Sequence, residues 1–252
     1  MLKKLMLFIT SMICLLPCSS LADPVLLDED FSEIISIPYD EQQPSAGQYV
    51  YSFSYPHVDE SDPRAPLINS YYEYQAKDAR DYNAPNMADY YADLGQSVRV
   101  EISYEITCSN DEYFSVRIYK KEDAGEEPIE TWSGNTFSLE KGMPGSVCSL
   151  PVLLGILETG ETDNWYEERQ AGKAREAVLS LIWDQIADAG GGISYYDDLT
   201  QEDLEYLLDP ELDFWLDQSG NPVFYILPGQ AAEADYGLLT FPVSLEDIYD
   251  EI

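Results

Sequence analysis

The stretch Ser97-Val-Arg-Val-Glu-Ile-Ser-Tyr-Glu-Ile-Thr107, then Cys108-Ser-Asn-Asp-Glu112, then Tyr113-Phe-Ser-Val-Arg-Ile-Tyr-Lys120, decides the fold. Val98, Val100, Ile102, Tyr104 and Ile106 alternate with polar residues. A period of two marks a strand with one buried face. Ser109-Asn110-Asp111 has the chemistry of a turn, and Tyr113 to Lys120 returns with the next alternation. The expectation is a long β-hairpin.

The pattern extends in both directions. Gln48 to Tyr55 alternates as a strand, with Tyr49, Tyr51, Phe53 and Tyr55 on one side and Pro56 ending it. Residues 23–47 read as a lead-in segment. Pro66 suits a first helical turn, and Leu67, Ile68, Tyr71, Tyr72 and Gln75 follow at helical spacing. Pro85 predicts a stop or kink near Tyr82, with Met87 to Leu94 resuming and Gly95 as the cap. After the hairpin, residues 122–128 read as a loop, Glu130 to Leu139 as a weaker strand, and Lys141-Gly142 as a turn.

The second part begins with an apolar run, Leu150 to Leu157, which reads as a strand edge or a helix start. Asp163 opens the clearest helix, with Trp165, Ala174, Val178, Leu181, Ile182 and Ile186 as its stripe and Gly190-Gly191-Gly192 as its stop. Thr200 and Asp203 resemble a capping box with Asp in place of Glu, opening a short helix to Leu208. Phe214 to Leu216 and Val223 to Leu227 form a hairpin around Asp217 to Pro222. Leu238 to Val243 is a last strand before an acidic tail. Strands and helices without strict βαβ alternation predict an α+β fold, antiparallel sheets packed against two main helices in two interlocked halves. The halves are expected at 48–160 and 161–252.

Residues 1–22 look like a cleaved secretory signal: Lys3 and Lys4, an apolar run from Leu5 to Leu16, then Ser20-Leu21-Ala22. About a dozen apolar residues are too few to span hydrocarbon, which takes about 20. Cleavage is expected between Ala22 and Asp23. The exported chain, periplasmic or extracellular, then carries 11 basic and 48 acidic side chains, a charge of −37 against −35 for the full sequence. No membrane span is expected after the signal. Nucleic acid and anionic membrane surfaces are excluded as partners for want of clustered Lys and Arg. A cationic partner fits the sign, and so does plain solubility.

Cys108 and Cys148 remain after cleavage, and an oxidising compartment favours a bond between them. The closed loop of about 40 residues is worth about 4 kcal/mol in chain entropy. Other chemistry is sparse. His57 is the single histidine and reads as a loop residue. No zinc spacing and no GxSxG elbow occurs. Asp213 to Gly220 has only a faint likeness to a calcium loop. No cofactor or metal is called for. With 48 acids, closeness of Asp197-Asp198 or of Asp209, Glu211 and Asp213 in sequence says little. Twenty tyrosines leave two readings open: Tyr71, Tyr72, Tyr74, Tyr90 and Tyr91 as a recognition surface, or as packing.

The order of these signals carries a resemblance. Tyr55-Pro56 comes first, then Ile68-Asn69 opening a helix, the hairpin 98–120, and Phe137-x-Leu139-x-x-Gly142. Leu150 and Leu154 precede the long helix, and Phe214-x-Leu216, Phe224 with Pro228, Tyr236-Gly237 and Pro242 follow. Over about Gln48 to Leu245 this resembles the paired extracytoplasmic domains of the lysozyme-sensing anti-sigma factor family. It also resembles the non-catalytic region of a peptidoglycan deacetylase family. The chain departs from the pattern at Glu122 to Asn135 and at Gly229-Gln230-Ala231-Ala232. No sigma-binding segment and no deacetylase domain is found. The resemblance implies binding rather than catalysis and carries over no site residue. Since the sensors bind a basic secreted muramidase, it points to a lysozyme-like protein, or else a cell-wall fragment, as ligand. The expectation is an exported envelope binding protein; the alternative is a carboxylate-dependent hydrolase acting on envelope glycans.

Overall fold

The hairpin forms the inner part of a five-stranded sheet. Strand β3 (Val98–Ser109) pairs antiparallel with β4 (Tyr113–Asp123), with Tyr104 opposite Ile118 and a register shift between Ile106 and Cys108. Asn110 closes the turn, its Oδ1 accepting the N–H of Glu112 at 2.9 Å and of Tyr113 at 2.7 Å. The computed structural model describes residues 25–42, 47–125, 127–139, 147–158, 164–188 and 192–252. The signal cleavage expected at Ala22 and Asp23, the turn at Lys141-Gly142 and the helix start at Asp163 lie outside the described residues.

The remaining strands are β1 (Phe31–Pro38), β2 (Gln48–Tyr55) and β5 (Ile129–Ser138), in the order β1-β2-β3-β4-β5. The lead-in contains a strand, β1, that pairs antiparallel along the whole of β2. One expectation is corrected here: the sheet is not wholly antiparallel, since β2 runs parallel to β3, with Tyr49 opposite Val98 and Phe53 opposite Ile102. Parallel neighbours need a long crossover. The helix from Ala65 to Leu94 supplies it.

Asp62 fixes the turn that leads into that helix. Its carboxylate accepts the N–H of Leu26 and of Arg64, each at 2.9 Å, and binds the Arg64 guanidinium at 2.7 Å. Hydrogen bonding from Arg64 holds this carboxyl well below the usual carboxylate range. The expected break at Pro85 is only a widening. Helix α1 (Ala65–Asp78) runs through a π turn (Ala79–Asn83) into α2 (Ala84–Leu94). Pro85 falls in the first turn of α2, and the Ala84 N–H reaches back five residues to Ala79. The turn takes in an extra residue, so the helix continues past the proline. Gly95, at φ +67°, caps it in the left-handed conformation.

One face of the sheet packs on this helix. Phe53, Tyr55, Phe114, Val116 and Phe137 meet Ile68, Tyr72 and Ala76, while Tyr49, Val98 and Val100 meet Ala84 and Ala88. The other face receives the C-terminal half. There α3 (Leu150–Leu153) precedes α4 (Trp165–Asp188), a 3-10 turn (Gln201–Asp203) and α5 (Leu204–Leu207). A three-stranded antiparallel sheet follows, β6 (Phe214–Leu216), β7 (Pro222–Ile226) and β8 (Leu239–Pro242). Ala174, Val178, Ile182 and Ile186 of α4 share one core with Phe214, Leu216, Phe224 and Phe241. Leu150, Val152 and Leu153 belong to that core, so it begins before residue 161. Trp165, expected in the stripe, is 71% exposed in the first turn. The acidic tail is also corrected: Leu245–Glu251 is a helix, α6, capped by Ser244 and seated on the fully buried Ile248. The chain is α+β.

The two halves meet where β6 crosses β5. A Cβ built on Gly134 would lie 1.7 Å from the Phe214 carbonyl oxygen, so only glycine permits the approach. Beside it the Leu216 N–H donates to Ser115 Oγ at 2.9 Å, and Ser115 Oγ lies 2.9 Å from Thr136 Oγ1. All three groups are buried. The Arg117 guanidinium stands 5.1 Å over the Trp215 ring.

The structure does not show the expected Cys108–Cys148 bond. The described residues contain no disulfide, and both cysteines are buried. Cys108 pairs with Ser115, Ser115 with Thr136, and the Thr136 carbonyl accepts the Cys148 N–H. Burial pushes the Cys108 thiol up to about 11, with the Asp217 charge adding to it.

Two outcomes follow from this packing. Gly134→Ala should lose about 3 kcal/mol or more in urea unfolding, because the added methyl meets backbone rather than a movable side chain. A thiol reagent should be inert toward the native protein and modify both Cys108 and Cys148 once urea unfolds it; non-reducing peptide mapping that recovers a 108–148 cross-link would contradict the two free thiols described.

Candidate functional site

A concavity lies between α4 and the segment from Thr200 to Asp213. Gly172, Arg175, Glu176 and Leu179 form one wall at helical spacing. The groove holds about 700 Å³ and continues into a second hollow of about 470 Å³, with Glu176, Leu179 and Glu205 common to both. The opposite wall is built from local hydrogen bonds. The Thr200 N–H and hydroxyl both donate to Asp203 at 2.7 Å, closing the capping box the sequence predicts. Those bonds lower the Asp203 carboxyl. Buried Leu204 and Leu208 anchor the wall in the core. Asp209 then turns the chain, accepting the Glu211 N–H at 2.9 Å, while the Asp209 N–H donates to Asp213 at 2.7 Å.

Carboxylates dominate the lining: Glu176, Glu202, Glu205, Asp209, Glu211 and Asp213. Arg175 is the basic residue among the lining groups, and it is paired with Glu211 at 2.6 Å. Tyr206, 87% exposed, stands at the rim. Arg64, Lys77, Arg80, Arg99, Arg117 and Lys120 are also each within ion-pair distance of a carboxylate. Acceptor-only oxygens around a hollow suit ammonium or guanidinium groups.

The hydrolase alternative needs a carboxyl whose titration is raised, so that it donates a proton near neutral pH. Among the described residues, Glu33, Asp59, Asp62 and Asp203 are displaced downward by hydrogen bonds. Glu33 and Asp62 bond to arginines, Asp59 and Asp203 to hydroxyl-bearing neighbours. None of the four lines the groove. His57 sits in the segment after β2, its carbonyl accepting the Asp28 N–H at 2.9 Å. The acids of the calcium-like stretch cap turns: Asp213 accepts from Asp209 and from Tyr225, and Asp217 from Ser219 and Asn221. Among the described residues no cluster of His, Cys, Asp and Glu is arranged to hold a metal ion. No helix among them is long and apolar enough to cross a membrane.

The tyrosines divide. Tyr72 is buried and Tyr71 half-buried against Phe137. Tyr91 donates to Glu122, and that bond with partial burial pushes it up to about 12. These three are packing. Tyr74 and Tyr90 face solvent at 65% and 57% exposure, joined by Tyr82 at 60%, which periodicity alone did not single out.

No protein-family model matches the chain, and no curated protein matches it in sequence. Among solved structures it is similar to a member of the DUF3298 family from Bacteroides fragilis. The TM-score is 0.50 and the identity 14%, over 90% of this chain and 94% of that one. The likeness is one of fold. A DUF3298 family protein from Pseudomonas aeruginosa aligns over the same shares, with a TM-score of 0.45 at 13% identity.

Proposed function

We propose that this is an exported binding protein of the bacterial envelope, which takes a cationic ligand and performs no chemistry on it. The observation that carries the reading is the groove along α4, lined by six carboxylates and one already-paired arginine. Ammonium and guanidinium groups entering it would gain charge-assisted hydrogen bonds of about 1.5–3 kcal/mol each at best, less where water screens them. The resemblance in residue order to the lysozyme-sensing anti-sigma factors supports a basic muramidase as ligand. The resemblance to the deacetylase region supports an amine-bearing cell-wall fragment. Export rests on the leader pattern of residues 1–22.

Calorimetry tests the ligand class. Lysozyme should bind the mature protein at 0.15 M salt, where exposed charges are screened beyond about 8 Å, and an equally basic unrelated protein should bind at least tenfold more weakly. Equal affinities, or binding that disappears at that salt, would reduce the reading to attraction by net charge. Intact-mass analysis of protein collected outside the cytoplasm should begin at Asp23; recovery of Met1 in a membrane fraction would remove the export half of the proposal.

A further inference from the structure

Strand β1 closes one side of the five-stranded sheet, and no strand among the described residues pairs with its outer side. Its backbone direction is fixed by the bond just beyond it. The Tyr39 N–H donates to the Gly47 carbonyl at 3.1 Å, in the same register that sets Phe31 opposite Tyr55. Antiparallel partners alternate between bonded and non-bonded pairs. Phe31, Glu33, Ile35 and Ile37 therefore bond to β2, and the N–H and C=O groups of Ser32, Ile34 and Ser36 point away from the sheet. Pro38, the next of that set, has no N–H to offer. The side chains of the same residues are exposed, Ile34 at 74%.

Free edges are ordinarily blunted by a bulge, a lysine or a proline in mid-strand. Strand β1 has none of these. Its eight pairs with β2 run in unbroken register, and its proline stands at the last position. Its one charge, Glu33, is paired with Arg80 of the π turn. The edge is thus a neutral length on a chain of net charge −35. Its outward set also reads the same in both directions, Ser32-x-Ile34-x-Ser36. A two-fold axis through Ile34 would set Ile34 on Ile34 and each Ser32 on a Ser36, closing about six main-chain hydrogen bonds. Such self-complementarity is what a contact between identical copies demands.

We propose that β1 pairs with β1 of a second copy of this chain, antiparallel about Ile34, so that two sheets run on as one. The contact uses no residue lining the α4 groove. The net charge opposes the encounter, and the acids flanking the strand, Asp28 and Asp40, approach those of the other copy. Association therefore strengthens with salt, the reverse of binding driven by opposite charge. A single strand pair is a small interface, so monomer and dimer exchange.

Sedimentation velocity of the mature chain tests this. The dimer fraction should grow with protein concentration and, at fixed concentration, between about 0.02 M and about 0.3 M salt. Ile34→Lys sets a charge on the axis at an exposed site, so circular dichroism should show an intact fold while dimerisation weakens at least tenfold. Ile129→Lys, 63% exposed on the opposite edge strand, should stay within twofold of the wild type. Ile34→Cys gives a readout that needs no weakened variant. Opposed Cα atoms about 5.5 Å apart are within disulfide range, so oxidised glutathione should link two chains through position 34. Ile129→Cys should not cross-link. Equal effects of the two lysines, or cross-linking through 129 and not 34, would overturn the proposal. Wild type that stays monomeric throughout would overturn it too and leave the edge to a foreign strand.

Discussion

Everything in this molecule is arranged around a place where two backbones touch. Strand β6 lies across β5 so closely that Gly134 has no room for a side chain beneath the Phe214 carbonyl. A crossing of this kind leaves buried polar groups at its margins, and these must be satisfied. Ser115 and Thr136 satisfy them, one hydroxyl taking the Leu216 N–H and the other bonding to the first. The hydroxyls face the second half while their strand neighbours Phe114, Val116 and Phe137 face the first. One sheet thus serves two cores, apolar toward the helix and polar-then-apolar toward β6. The halves are joined through the interior rather than by a linker.

The negative charge is borne by the outside of this frame. The buried polar and charged residues are few, and Asp62 is the carboxylate among them, neutralised by Arg64 and two backbone donors. The other described acids are exposed or half-buried. Asp203 and Asp247 lie in first turns, where a negative charge favours the exposed amides. The fold therefore tolerates its charge without burying it, and the acids remain available to a partner of opposite sign.

Much of this was legible because the signals are local. The hairpin from Val98 to Asp123 follows from alternation and an Asn turn, and β2 matches its expected bounds from Gln48 to Tyr55. The capping box at Thr200 needs only residues three apart. What escaped is non-local or irregular. In β1, Ile34 faces outward and Glu33 inward, so its apolar residues do not alternate cleanly, and Arg80, 47 positions away, accommodates the glutamate. The parallel pairing of β2 with β3 is a property of the crossover. Pro85 signals disruption, and only the backbone reveals that a π turn absorbs it. The groove is the least legible feature, because Glu176 and Glu205 become neighbours only when α4 and α5 share a core.

The crossing also sets the order in which the chain can become a protein. Ser115 and Leu216 are 101 residues apart, and long-range contacts of that kind form late. A chain emerging from a ribosome or a translocation pore has all five strands of the first sheet available before Phe214 appears. In that interval the face around Gly134 is open: a glycine, a pair of hydroxyls without the Leu216 N–H, and no covering strand. The nascent first half is then a sheet awaiting its other side, the kind of partly covered intermediate that a chaperone holds or that aggregates. Maturation of this protein is gated by its last forty residues.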